Sequence, residues 1–227
     1  MLPRPPIATD HTELPRPAIL SRKPFQNPSS VSSVLGGGAG IVVGGSYCTL
    51  GTIGHDKIGE LVGFTAGHCG GLGAPIVAAG ADDHRPVGTV SAIGGGLDYA
   101  VIKFDPAKVN PTANFAGFPI NGIGPDPDFH QPACTQGAAT GNYCSRIVSI
   151  SGPGSHGSMP APFQPGDDGR PITCDGLLIG LVLSGHVIEA DYAHPEIHET
   201  TFVKVSAILA DVNAKGVPGA GFTPIPT

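Results

Sequence analysis

Pro165-Gly166-Asp167-Asp168-Gly169-Arg170-Pro171 is a short loop bracketed by prolines, with a glycine on each side of an aspartate pair. Gly166 and Gly169 permit backbone conformations that side chains oppose, so the N–H groups between them can converge on one small space. Such a space suits a developing negative charge. Alone, Gly-Asp-x-Gly is a weak signal, and its weight comes from two segments upstream. Phe64-Thr65-Ala66-Gly67-His68-Cys69 places a histidine just after an apolar run, and Leu97-Asp98-Tyr99-Ala100-Val101 places a carboxylate at the head of another. Acyl transfer needs a nucleophile, a base beside it, a carboxylate to orient the base and N–H donors for the oxyanion. Base, carboxylate and donor loop follow in that order along the chain. The residue at the centre of the loop, however, is Asp168.

Composition frames what such a site could serve. Only 13% of the 227 residues are charged, while 35 glycines and 24 prolines make up over a quarter of them. Apolar runs are short, rich in Val, Ile and Leu and punctuated by glycine, the pattern of an all-β sandwich or barrel. A net charge of −6 with no basic run, no Trp and few other aromatics argues against nucleic acid as a partner. No stretch approaches the ~18 apolar residues of a membrane span, and residues 1–33 contain no apolar region resembling a signal peptide. The five cysteines lack the two close pairs of a structural zinc site. Their spacings suggest disulfides Cys48–Cys69 and Cys134–Cys144, with Cys174 left as a buried thiol, and place the protein outside the cytosol. His194 and His198 stand four apart, but Pro195 opposes the helix that would align them on a metal. No metal or cofactor is expected.

Along the chain, residues 1–38 carry seven prolines, a serine cluster and Gly36-Gly37-Gly38, and read as an extended arm. Gly40–Val43, Leu61–Phe64, Pro75–Ala78 and Tyr99–Phe104 read as strands of a first unit over 39–118. Ser145–Ile150, Leu177–Leu183 and Thr201–Val205 read as strands of a second over 119–217, with a turn-rich bridge from Asn110 to Asp128. Ser206 is the expected N-cap of one helix with Val205, Ile208, Leu209 and Val212 on a single stripe and Gly216 at its end. That helix is expected to pack on the second unit, and residues 218–227 to form a tail outside the core.

The three segments together resemble the trypsin/chymotrypsin-like serine protease family, in particular its bacterial alpha-lytic and streptogrisin-like branch. Cys48-Thr49-Leu50-Gly51, the segment Ala133 to Cys144 and Gly180-Leu181-Val182-Leu183-Ser184-Gly185 extend the likeness over roughly residues 40–215. The resemblance implies two six-stranded antiparallel β-barrels with a C-terminal helix and a site in the cleft between them. It implies His68 as general base, Asp98 as its orienting partner and the N–H groups of Gly166 and Asp168 as oxyanion hole. Ser184 and Gly185 would bind substrate and line the primary pocket, whose floor falls near Pro162, where no charge favours a basic side chain.

Two residues depart from the family pattern: Asp168 in place of the nucleophilic serine, and Arg170 in place of a glycine. A carboxylate at pH 7 has no proton to give up to histidine, and its attack on an amide would form an anhydride uphill of the starting bond. A second carboxylate beside His68 also favours the imidazolium, so the base arrives already protonated. An aspartic-protease route needs two carboxylates about 3 Å apart sharing one proton, and His68 would lie between these two. The expectation is a pseudoprotease that binds peptide or protein in its cleft. The alternatives are an active endopeptidase using Ser155 or Ser158, and a structural envelope-interaction module.

Overall fold

The computed structural model describes residues 32–81, 84–151, 155–188 and 197–227. They form two large curled antiparallel sheets, two small two-stranded ones and one α-helix. The first sheet runs, edge to edge, Thr223–Pro224, Thr52–His55, Leu61–Ala66, Tyr99–Phe104, Gly88–Gly94, Pro75–Ala78, Gly40–Val43 and Ser46–Thr49. Its two distant members, Ser46–Thr49 and Thr52–His55, are one chain segment interrupted at Leu50-Gly51, so a single bent strand touches both ends of the sheet and curls it into a barrel. Counting that strand once and setting aside the two-residue terminal strand leaves the six expected. The second sheet runs Gly141–Arg146, Pro132–Gly137, Pro171–Cys174, Leu177–Ile188, Ile197–Lys204, His156–Pro160 and Ser149–Ile150, with Gly122–Ile123 parallel to Leu177–Leu178.

Leu61–Ala66 is buried at every position, and strand alternation explains why. Leu61 points into the first barrel with Ile41, Ile76, Ala100 and Ile102. Val62 and Phe64 point out of it, where Tyr99 and Val101 join Leu178, Leu181 and Val203 of the second sheet and Val205, Ile208 and Val212 of the helix. The two barrels therefore share a core, and an outward face that would normally be polar is apolar instead. A third cluster, with Ile147, Met159, Ile172, Val182 and Phe202, fills the second barrel.

Several expectations are corrected. The helix spans Val205–Lys215 with Lys204 at the N-cap and no side-chain cap. Ser206 Oγ turns instead to Asp126, whose carboxylate also receives Lys204 Nζ at 2.7 Å. Gly216 closes the helix at φ 62°, the left-handed turn that glycine favours. The helix serves both barrels, since Tyr99 of the first donates to Asp211 of the helix at 2.6 Å. Nor is the C-terminal segment outside the core: Ala220 and Phe222 are buried and Thr223–Pro224 pairs with Gly54–His55. Within the expected arm, Ser33–Leu35 pairs in parallel with Val109–Pro111, and Leu35 is buried. Residues 1–31 and His194 lie outside the described residues. Of the two serines named as alternative nucleophiles, one lies within a strand of the second sheet and the other directly precedes it. Ser158 is buried in the strand His156–Pro160 and bonds Glu199, and Ser155 Oγ meets His156 Nδ1 at 3.0 Å.

Candidate active site

His68 sits in a single 3-10 turn, Gly67–Cys69, directly after the strand Leu61–Ala66. Two restraints hold that turn. Cys69 is disulfide-bonded to Cys48 of the bent strand, and Gly67 N–H donates to the Asp98 carbonyl at 2.8 Å. Gly67 must lack a side chain, because a Cβ there would lie 2.8 Å from Asp98 Oδ1. Asp98 stands at φ 51°, a left-handed conformation that aspartate tolerates better than most residues. Both its oxygens then serve one partner: Oδ1 accepts His68 N–H at 2.8 Å and Oδ2 meets His68 Nδ1 at 2.7 Å.

On the opposite edge of the imidazole, Nε2 lies 3.1 Å from Asp168 Oδ1. The three residues singled out in the sequence are thus brought together, with the ring between the carboxylates. Burial lowers the affinity of His68 for a proton, but the hydrogen bond and charge of Asp98, followed by the charge and hydrogen bond of Asp168, outweigh it and raise its pKa above 6.5. With both ring nitrogens facing carboxylate oxygens, the doubly protonated imidazolium satisfies the arrangement.

Asp168 is carried by the loop between Pro165 and Pro171, and Thr49 of the first barrel fixes that loop. Thr49 N–H donates to the Asp168 carbonyl at 2.9 Å. Its hydroxyl donates to the Gly166 carbonyl at 2.7 Å and accepts Ala138 N–H at 3.0 Å. Gly169, at φ 85°, comes so close that a Cβ would meet Thr65 Oγ1 at 2.2 Å and the Thr49 carbonyl at 2.6 Å. Gly166 takes φ 107° beneath the ring of Tyr47. Both glycines at which the sequence allowed a special backbone therefore have one.

Arg170, the second departure from the family pattern, is fully buried beside an equally buried Asp167, with Nη1 3.6 Å from Oδ2. Its Nη1 donates to Thr140 Oγ1 and its Nη2 to the Pro162 carbonyl, both at 2.8 Å. Asp167 Oδ1 accepts the N–H groups of Ala139 and Thr140 at 3.1 Å each, and Oδ2 accepts Gln164 N–H at 2.9 Å. Burial holds the guanidinium pKa below its ordinary value, and the charges of Asp167 and Asp168 offset only part of that shift. Asp98, His68, Asp168, Arg170 and Asp167 thus alternate acidic and basic side chains across the site. Thr49 and Arg170 had no signature in the sequence that would have assigned them these bridging roles.

Ser184 and Gly185 lie on the strand Leu177–Ile188 opposite Thr201 and Thr200, after an irregularity in pairing between Val182 and Ser184. Gly169 N–H donates to the Val182 carbonyl at 2.8 Å, which ties that strand to the loop. Gly185 is covered by Phe163, whose Cγ would lie 2.2 Å from a Cβ at that position. A hollow of ≈ 630 Å3 borders Tyr47 and Ala139, the residues that flank Gly166, and is lined also by Gly40, Phe115, Gln136 and Gly141. The expected disulfides Cys48–Cys69 and Cys134–Cys144 are formed, and Cys174 is free and buried, its thiol pushed up to about 11 by burial and then by Asp175.

No protein-family model and no curated protein matches the sequence. Solved structures do. An alpha-lytic protease homolog, N4, is 25% identical with a TM-score of 0.60, covering 82% of this chain and 99% of its own. Cellulomonas bogoriensis chymotrypsin is 23% identical with a TM-score of 0.63, covering 86% of this chain and all of its own. Nocardiopsis protease, at 18% identity, gives the same coverage and TM-score. The described chain therefore has the two-barrel fold of the chymotrypsin-like serine proteases, and its structural neighbours are bacterial members of that group.

Proposed function

We propose that this chain is a catalytically silent protease homologue that holds an extended peptide or protein segment in the cleft between its barrels. The observation that carries the reading is the Asp168 carboxylate on His68 Nε2 at 3.1 Å. In an active site of this fold that nitrogen receives the proton of the attacking hydroxyl. Here the neighbouring group is a carboxylate in place of a hydroxyl, and with Asp98 it favours the protonated form of the ring. Turnover fails for two reasons at once, although the positioning apparatus is intact. Gly166 and Asp168 keep the place of the oxyanion donors, and strand edges can add a peptide strand without any nucleophile. The two disulfides support an extracytoplasmic location.

A serine-directed fluorophosphonate tests the reading directly. The native chain is expected to remain unlabelled and an Asp168→Ser variant to take up the probe at residue 168. Labelling of the native chain at any serine, abolished by His68→Ala, would overturn it.

A further inference from the structure

We propose that Phe163 fills, from within the chain, the side-chain slot that the family resemblance assigns to Ser184 and Gly185, so that a bound peptide is held by its backbone and is not selected by the side chain that would enter there. This rests on the peptide-binding reading and specifies the ligand class: segments whose side chain at that position is irrelevant.

The segment carrying Phe163 is fixed on both sides. Ala161 N–H donates to the His198 carbonyl at 2.9 Å, the Pro162 carbonyl accepts Arg170 Nη2, and Gln164 N–H donates to Asp167. Between these anchors the ring packs onto the core of the second barrel and against Gly185, where the notional Cβ would meet Cβ, Cγ and Cδ2 of Phe163 at 2.3, 2.2 and 2.7 Å. The Arg170 guanidinium carbon stands 5.8 Å from the ring centroid, within reach of a cation–π attraction. The floor residue next to Pro162 and the wall glycine are therefore in contact through an aromatic ring. Any ligand side chain entering between them has to displace that ring from the core, Gly185 and Arg170 together. Gly185 is what lets the ring approach so closely, and Arg170, the unusual residue of the loop, is what it rests near.

Removing the ring should convert an indifferent cleft into a selective one. A difference of one methylene in a fitted apolar pocket is worth about 10- to 200-fold, so an open slot should distinguish phenylalanine from glycine by at least about tenfold. The experiment compares the native chain, Phe163→Ala and Phe163→Leu. The probes are indole, followed through the Gly185 amide resonance, and the tetrapeptides N-acetyl-Ala-Ala-Pro-Phe and N-acetyl-Ala-Ala-Pro-Gly, followed by calorimetry. For the native chain and Phe163→Leu, the two peptides are expected to bind within about threefold of each other, and indole to leave Gly185 unmoved. For Phe163→Ala, indole should shift Gly185 and the phenylalanine peptide should gain about tenfold or more over the glycine one. A native chain that already prefers the phenylalanine peptide tenfold, or whose Gly185 responds to indole, overturns the proposal. So does a folded Phe163→Ala that leaves Gly185 unmoved. If Phe163→Ala does not fold, the native and leucine arms decide. Indole binding to Phe163→Ala with no peptide binding to any form would uphold the filled slot and overturn the peptide-binding reading instead.

Discussion

The two barrels contribute unequally to the site. The first supplies His68 and Asp98 in working geometry, with a disulfide beside the histidine and both carboxylate oxygens committed to it. The second supplies a loop whose backbone is held as tightly, by Thr49 and by the Asp167–Arg170 pair, but whose central side chain is a carboxylate against the imidazole. Geometry and reactivity are thus separable. Placing a group against a base says nothing of whether it has a proton to surrender.

The sharpest way to break this contrast is Asp168→Ser. If only the second half is disarmed, the substitution should raise peptidase activity by at least about a hundredfold over the native chain, a small part of what a complete triad contributes. Hydrolysis of casein or a peptide anilide measures it, and His68→Ala in the same background should abolish the gain. Silence in a folded revertant would show that the first half is also unfit.

Arg170→Met tests whether the second half is a built structure. It leaves Asp167 buried without its cation, which costs about 3–5 kcal/mol, or about 6–20 °C in melting temperature. Arg170→Lys should fall between, because a point charge cannot reach Thr140 and the Pro162 carbonyl together. A melting temperature unchanged in Arg170→Met would remove the buried pair from the account. For the first half, replacing Cys48 and Cys69 by alanine opens a closure of sequence separation 21 and should cost about 3 kcal/mol by denaturant titration. The same change should lower the turnover of the Asp168→Ser revertant, because it frees the turn carrying His68.

The smallest effect is electrostatic. The histidine ring should titrate above 6.5 in the native chain, the direction its two carboxylates impose, and lower in Asp168→Asn; proton resonances of the ring report both. Folded His68 binds its proton more tightly than the unfolded residue does. Its contribution to stability is therefore complete below about pH 6.5 and lost as pH rises through the raised folded value. Melting curves between pH 6 and 9 should show this loss in the native chain and a shallower one in His68→Gln.

The unequal halves also explain what the sequence disclosed. Tyr99–Phe104 and Pro75–Ala78 were legible to the residue because apolar, β-branched runs end at turn signals. His68, Asp98 and Asp168 were legible because each lies in a short segment with a fixed neighbourhood. His156–Pro160 was not, since its glycine-rich start reads as a turn and only pairing with Glu199–Val203 makes it a strand. Ser206 looked like a cap, but Asp126, 80 residues away, takes its hydroxyl. Thr49 and Phe163 were invisible for the same reason: Gly166 reaches Thr49 only when the barrels meet, and Gly185 reaches Phe163 only when the second barrel closes.

Residues 223–224 complete an edge of the first sheet by pairing with Gly54 and His55, although the whole second sheet intervenes along the chain. A ribosome delivers that edge strand only after everything between has emerged. The first barrel consequently cannot acquire its full set of pairings as an early, independent module, and a chain shortened by those few residues would leave the edge beside Thr52–His55 open to pairing with another molecule.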